Sequence, residues 1–197
     1  MSFASAASSA SSPLPAVTLV LGGARSGKSV YAEQLIGEHG PGLYLATAQA
    51  GDDEMAERIR IHRARRGAGW ETLEEPLDLA AAIERNARPE QPVLVDCLTL
   101  WLGNLMGADR DVDAAIGGLL AVLARPPGPV VLVSNEVGFG IVPAPPLGRA
   151  FRDHAGRLNQ AVAANAERVV LVAAGLPLVL KDTAPVKVSA PVKKSAS

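Results

Sequence analysis

Five short runs of consecutive apolar, mostly β-branched residues recur along this chain, at residues 17–21, 43–46, 93–96, 130–134 and 169–172. Between and after them, apolar residues return at helical spacing over 29–38, 53–66, 77–87, 113–124 and 149–166. A strand that is apolar at nearly every position, rather than at alternate ones, needs cover on both faces. Strands of that kind alternating with helices predict an α/β fold with a mostly parallel sheet between two helical layers. Residues 178–181, Leu-Val-Leu-Lys, predict a further edge strand. No internal repeat is visible. Residues 1–15 are mainly Ser and Ala, and the stretch from Asp182 onward is rich in Pro, Lys and Ser. Such segments bury too little to offset ordering entropy, so residues 1–15 and 182–197 are expected to be disordered extensions. That leaves one catalytic domain at 16–181.

Composition narrows the function classes. The 197 residues suit one domain with a real core, and 48% apolar content excludes compositional disorder. A net charge of −1 carries no electrostatic footprint for nucleic acid or an anionic membrane. One cysteine rules out an internal disulfide framework and suits a reducing compartment. No run approaches the ~18 apolar residues of a bilayer span, and the N-terminus lacks a basic leader. The expectation is a cytoplasmic protein with no membrane span and no nucleic-acid partner.

The first apolar run ends in Gly22-Gly23-Ala24-Arg25-Ser26-Gly27-Lys28-Ser29 and passes directly into a helical pattern. Strand, Gly-x-x-x-x-Gly-Lys-Ser and helix in that order make a phosphate-binding loop. Its glycines let backbone N–H groups curl round an anion, and the helix points its positive end at the phosphates. Lys28 reaches the β- and γ-phosphates, and the Ser29 hydroxyl is a ligand for Mg²⁺. The run Val93-Leu94-Val95 ends in Asp96, placing a carboxylate at the sheet end where a second Mg²⁺ contact belongs. The following Cys97 has no His or Asn constellation and reads as a small core residue. A guanine reader of the Asn-Lys-x-Asp type is missing, since Asn135 is followed by Glu136-Val137-Gly138. A signalling GTPase is thereby disfavoured; small-molecule kinases and nucleotidyltransferases remain.

The segment 52–66 begins with two acids and ends among arginines, in keeping with the helix macrodipole. Met55, Ile59 and His62 fall on one face, with Arg58, Arg65 and Arg66 one turn from His62. Neighbouring cations disfavour imidazolium, which would keep His62 neutral and nucleophilic near pH 7. Spacing alone leaves two readings open: a basic solvated face with an incidental histidine, or a nucleophile among cations that steady phosphates.

Read together, these motifs resemble the bifunctional adenosylcobinamide kinase / adenosylcobinamide-phosphate guanylyltransferase family. The resemblance runs from about residue 18 to 181. It is carried by the Gly22–Ser29 loop, Tyr44-Leu45-Ala46-Thr47-Ala48, Asp53-Glu54-Met55 with Arg58-Ile59 and His62, and Trp70-Glu71-Thr72. Asn135-Glu136-Val137-Gly138 with Gly140-Ile141-Val142-Pro143, and Phe151-Arg152-Asp153 with Ala155-Gly156-Arg157-Leu158-Asn159-Gln160, complete it. The resemblance implies a P-loop NTPase fold of RecA-like type and two reactions. ATP or GTP phosphorylates the aminopropanol hydroxyl of adenosylcobinamide, and GTP then transfers GMP to that phosphate. It implies His62 as the GMP carrier, with Lys28 also catalytic. Nucleotide contacts are implied for Gly22, Gly23, Ala24, Arg25, Ser26, Gly27, Lys28, Ser29, Ala46, Thr47, Ala48, Arg63, Ala64, Arg65, Arg66, Glu74 and Asp96. Mg²⁺ would sit at Ser29 and Asp96, and the assembly would be a homotrimer. Neither His39, in a Glu-His-Gly-Pro-Gly turn, nor His154, in a helix, has a phosphate cradle. Glu136 is read either as an aid to the kinase step or as a structural acid at the Gly138-Phe139-Gly140 turn. The alternative function is a monofunctional P-loop kinase for another small hydroxylated substrate.

Overall fold

All seven strands described lie in one sheet, in the order β3-β2-β4-β5-β1-β6-β7. The computed structural model describes residues 13–40, 42–48, 60 and 69–183. The strands are β1 (Val17–Gly22), β2 (Leu43–Ala46), β3 (Glu71–Glu74), β4 (Val93–Asp96), β5 (Val130–Asn135), β6 (Arg168–Ala173) and β7 (Leu176–Asp182). The first six pair in parallel, and β7 returns antiparallel to β6. The helices described are α1 (Lys28–Gly37), α2 (Leu79–Asn86), α3 (Leu98–Gly107), α4 (Val112–Leu123) and α5 (Pro146–Asn165).

The two faces of the sheet are covered unequally among the described residues. Leu19, Leu45, Val95 and Leu132 point to one side, into a core shared with α2, α3, α4 and α5. Val20, Leu94, Val131 and Val133 point to the other, against Ala32 and Ile36 of α1. The predicted α/β class and its central strands stand. The weak edge strand expected at 178–181 is longer, spanning Leu176–Asp182, and Arg168 and Asp182 pair across it at 3.1 Å. Ordered structure therefore passes the expected boundary at 181. At the other end Leu14 packs against the α1-side core and Pro15 is buried, so packing begins inside the Ser/Ala-rich stretch.

Two elements escape the sequence pattern. The edge strand β3 is mostly exposed and polar, so it has no apolar run to betray it. Helix α3 buries Leu98, Thr99, Trp101, Leu102 and Leu105, and a helix apolar nearly all round shows no stripe. The Trp101 indole N–H donates to the Leu77 carbonyl at 2.8 Å, which satisfies its one polar atom inside the core. α5 begins three residues earlier than its apolar spacing suggests, with Pro146 at a first-turn position where a missing N–H costs nothing. Apart from Arg60, the helix expected at 53–66 lies outside the described residues, as do His62, Arg63, Ala64, Arg65 and Arg66.

Candidate functional site

The carboxyl ends of five parallel strands bring the described candidate residues to one rim. Register places Glu74, Ala46 and Asp96 side by side on β3, β2 and β4. β5 then separates β4 from β1, whose last residue, Gly22, opens the phosphate loop opposite Asn135. With strands ~4.8 Å apart, Asp96 lies about two strand spacings from the loop, a separation that a polyphosphate and its cation can bridge.

The loop has the geometry its sequence demands. Gly27 takes a φ of 97°, a left-handed conformation that suits glycine, and hands the chain to α1. A Cβ on Gly22 would come within 2.6 Å of the Val172 carbonyl oxygen, so the backbones of β1 and β6 can approach only if this residue is glycine. Ser26 N–H donates to the Gly23 carbonyl at 3.3 Å, and Gly175 N–H to the Ser26 carbonyl at 2.9 Å. Thus the β6–β7 turn braces the loop from behind. The Lys28 ammonium, largely buried, donates to the Gly23 carbonyl at 3.0 Å and spans the loop it serves. The Ser26 hydroxyl is buried against Gly22 and has no hydrogen-bond partner among the described residues. The half-buried Ser29 follows Lys28 in the first turn of α1.

A second cluster forms where β2 and β4 end. The buried Thr47 hydroxyl accepts from Cys97 N–H and donates to the Cys97 carbonyl, both at 2.8 Å. Thr47 N–H reaches the Asp96 carbonyl at 3.2 Å. Asn104 of α3 donates to the Thr47 carbonyl at 2.7 Å and to that of Pro76 at 3.2 Å. These bonds tie the Ala46-Thr47-Ala48 turn to the Asp96-Cys97 turn, whose connecting peptide is cis. The Tyr44 hydroxyl donates to Asp96 Oδ2 at 2.9 Å and so orients the carboxylate. Burial, helped by the charge of Asp96, pushes the Cys97 thiol up to about 11. It stays protonated and inert, in agreement with its reading as core.

A third set of bonds fixes the end of β5. Thr99 Oγ1 accepts from Asn135 N–H at 2.8 Å, and Asn159 Nδ2 donates to the Asn135 carbonyl at 3.1 Å. Ser134 Oγ donates to Asn159 Oδ1 at 2.7 Å. Glu136 N–H then donates to the Gly22 carbonyl at 3.1 Å, joining this network to the phosphate loop. Glu136 also lines a cleft of about 320 Å³ between α5 and strands β1, β6 and β7, beside Leu21, Asn159 and Leu180. Tyr44, Asn104, Thr99 and Ser134 are absent from the sequence-based site. Their roles depend on partners 25 or more residues away, for which the chain holds no local signal.

His39 and His154 are held elsewhere. His39 follows the far end of α1, with Nδ1 at 2.9 Å from the Leu35 carbonyl. On α5, His154 has Nδ1 at 3.1 Å from Arg157 Nη2 and 4.0 Å from Asp113.

Comparison with known proteins agrees with this geometry. The family model described as cobinamide kinase / cobinamide phosphate guanyltransferase matches residues 18–180. The bifunctional adenosylcobalamin biosynthesis protein CobP of Pseudomonas aeruginosa is 54% identical over 166 residues, covering 83% of this chain and 96% of that protein. The protein of the same description from Escherichia coli, CobU, is 46% identical over 178 residues, covering 83% and 98%. A solved structure from Pyrococcus horikoshii OT3 shares the fold at a TM-score of 0.51 and 9% identity, covering 86% of this chain and 88% of that one. From residue 18 to 180, this chain is a member of the cobinamide kinase / cobinamide phosphate guanyltransferase family.

Proposed function

We propose that this protein phosphorylates adenosylcobinamide from ATP or GTP and then transfers GMP from GTP to adenosylcobinamide-phosphate. The observation that carries the reading is the meeting of the Gly22–Ser29 loop, Lys28 and Asp96 on one rim of a chain matched to this family over residues 18–180.

In the first reaction the acceptor hydroxyl oxygen bonds to the γ-phosphorus and the β–γ bridging bond breaks, releasing nucleoside diphosphate and a proton. Phosphoryl transfer needs little from a base, so positioning by the loop and charge stabilisation by Lys28 do most of the catalysis. In the second, a neutral His62 nitrogen attacks the α-phosphorus of GTP, the α–β bridging bond breaks, and pyrophosphate leaves along Lys28. The acceptor phosphate then displaces His62, giving adenosylcobinamide-GDP. Splitting one displacement between two anions into two steps lets an uncharged nucleophile meet the nucleotide first. Glu74, at the end of β3 beside Ala46, is suited by register to a base or ribose contact, and residues 63–66 supply cations for the phosphates.

Oxygen donors from Ser29 and Asp96 suit Mg²⁺, which favours hard ligands and brings phosphate oxygens with it. When bound, the ion neutralises charge developing on the bridging and terminal phosphate oxygens. Ser29 and Asp96 would hold it, and Tyr44 keeps Asp96 facing the rim. A homotrimer in the cytoplasm completes the proposal, on the strength of the family resemblance.

Mass analysis of product from adenosylcobinamide with GTP tests this reading. Adenosylcobinamide-phosphate and adenosylcobinamide-GDP are expected; recovery of unchanged adenosylcobinamide overturns it. His62→Asn should abolish formation of the GDP product while retaining phosphorylation. Wild-type protein trapped with α-labelled GTP should carry label through an acid-labile, base-stable bond. Label on any other residue removes His62 from its role.

A further inference from the structure

From the end of β5 into the first turn of α5 the chain runs Val137-Gly-Phe-Gly-Ile-Val-Pro-Ala-Pro-Pro-Leu147 without one charged side chain. Four large apolar residues here stand in the open: Phe139 is 84% exposed, Ile141 98%, Val142 60% and Leu147 69%. Contiguous apolar surface of this kind marks a binding surface more often than an accident of folding.

The loop is also held at both ends. At its root, the Asn135 backbone is bonded on both sides by Thr99 and Asn159, and Glu136 N–H reaches the Gly22 carbonyl. At its far end Arg149 donates to the Pro143 carbonyl at 3.2 Å and also to that of Ala144. Pro143, Pro145 and Pro146 restrict the backbone between them. An apolar surface fixed before its ligand arrives has already met much of the ordering cost of binding.

Its location selects the occupant. Glu136 joins the loop directly to the first residue of the phosphate loop. The loop therefore leaves the sheet at the same rim as the phosphate loop, the side from which an acceptor hydroxyl would approach a triphosphate. On the proposed function that acceptor is a methyl-rich macrocycle carrying a short hydroxylated arm. We infer that the 137–147 loop is the platform on which the corrin macrocycle of the acceptor rests, holding its arm toward the nucleotide. The exposed residues of β7, such as Leu176 and Leu178, lie instead on the sheet's edge strand.

Equilibrium dialysis tests the platform directly, because a corrinoid is followed by its visible absorbance. Ile141→Asp and, separately, Phe139→Ser should each weaken adenosylcobinamide binding about tenfold or more and raise its KM to match. The dissociation constant for a fluorescent GTP analogue and the melting temperature should stay at wild-type values, since these side chains support no core. Ile141→Leu should restore corrinoid binding. Sedimentation velocity identifies the rival occupant, a second copy of this chain. Unchanged corrinoid affinity in both variants overturns the platform, and so does weakened affinity that appears only with subunit dissociation. Failure of the proposed function would look different: the wild-type protein itself would neither bind nor phosphorylate adenosylcobinamide.

Discussion

The phosphate loop and the Thr47–Cys97 junction share one rim of the sheet but are built by opposite means. In the loop, Gly23, Ser26, Gly27 and Lys28 bond or hand over to one another within six residues. At the junction, Thr47 meets Cys97 across 50 residues and Asn104 across 57, while Tyr44 meets Asp96 across 52. The loop's internal bonds need only β1 and α1, with Gly175 and Glu136 bracing it from distant parts of the chain, whereas every bond of the junction joins β2, β4 and α3. The difference divides a largely local loop from a tertiary clamp that positions the groups around it.

The largest effect should come from the local part. Lys28→Ala removes the only side-chain cation of the loop's lysine–serine pair while leaving its hydrogen-bonded backbone nearly intact. Loss of one well-placed donor of transition-state charge costs ~3 kcal/mol or more, a hundredfold or greater fall in rate. On the proposed use of one loop for both reactions, phosphorylation and guanylyl transfer should fall together in steady-state assays, with little change in melting temperature. A variant that loses only one activity would mean two nucleotide sites and would break the picture of a single rim.

Next comes the buried thiol. Its pKa stands at about 11 against 9.0 for an ordinary cysteine, through burial and the adjacent Asp96 charge. A thiol pKa raised by folding stabilises the native state below the unfolded value and loses that contribution as pH rises. Between about pH 9 and about pH 11 the unfolded chain releases the Cys97 proton while the folded chain retains it. Unfolding free energy measured in urea should therefore decline across this window, by at most ~2–3 kcal/mol. In Cys97→Ala that component of the decline should vanish. An equal slope in both proteins would place the thiol in contact with solvent.

How much of this was readable beforehand follows the same division. Gly22–Ser29 and Asp96 are legible because their chemistry is local: a glycine-rich turn after an apolar run, and an acid at a strand end. Thr47 was reached only through family resemblance, and nothing local foretells that its hydroxyl spans both polar groups of Cys97. β3 is hidden by its exposed, polar composition, and α3 by apolar residues spread nearly all round it. Glu136 was read through its carboxylate, as an aid to the kinase step or a structural acid at the glycine turn, whereas its bond to Gly22 is made by its N–H, which a sequence cannot display. His62 and residues 63–66 remain an inference from motif order, since they fall outside the described residues.

The clamp itself is tested by Thr47→Val, which keeps the shape and removes the hydroxyl. Cys97 N–H then loses its acceptor in a buried place, a defect of ~1–3 kcal/mol. Both melting temperature and turnover should drop, in contrast to Lys28→Ala, because fold and site share these bonds. Loss of turnover without loss of stability would show Thr47 acting on the nucleotide alone.

The smallest effect, and the most discriminating, belongs to Tyr44. Its ring is buried and stands edge-on to Trp70, with centroids 6.4 Å apart and planes at 77°. Tyr44→Phe preserves that packing and removes the donor to Asp96 Oδ2. Asp96 is half-buried, so water can replace part of the lost bond, and the cost should lie near ~1 kcal/mol, at the low end for a charged acceptor. A bond that merely stabilised the sheet would lower the urea midpoint and leave catalysis alone. A bond that aims Asp96 at the cation should also raise the Mg²⁺ concentration for half-maximal turnover severalfold, with nucleotide affinity measured without Mg²⁺ unchanged. A titration of activity against Mg²⁺ in wild type and Tyr44→Phe separates the two. Coincident curves would assign Tyr44 to the core and leave Thr47 and Asn104 as the whole of the clamp.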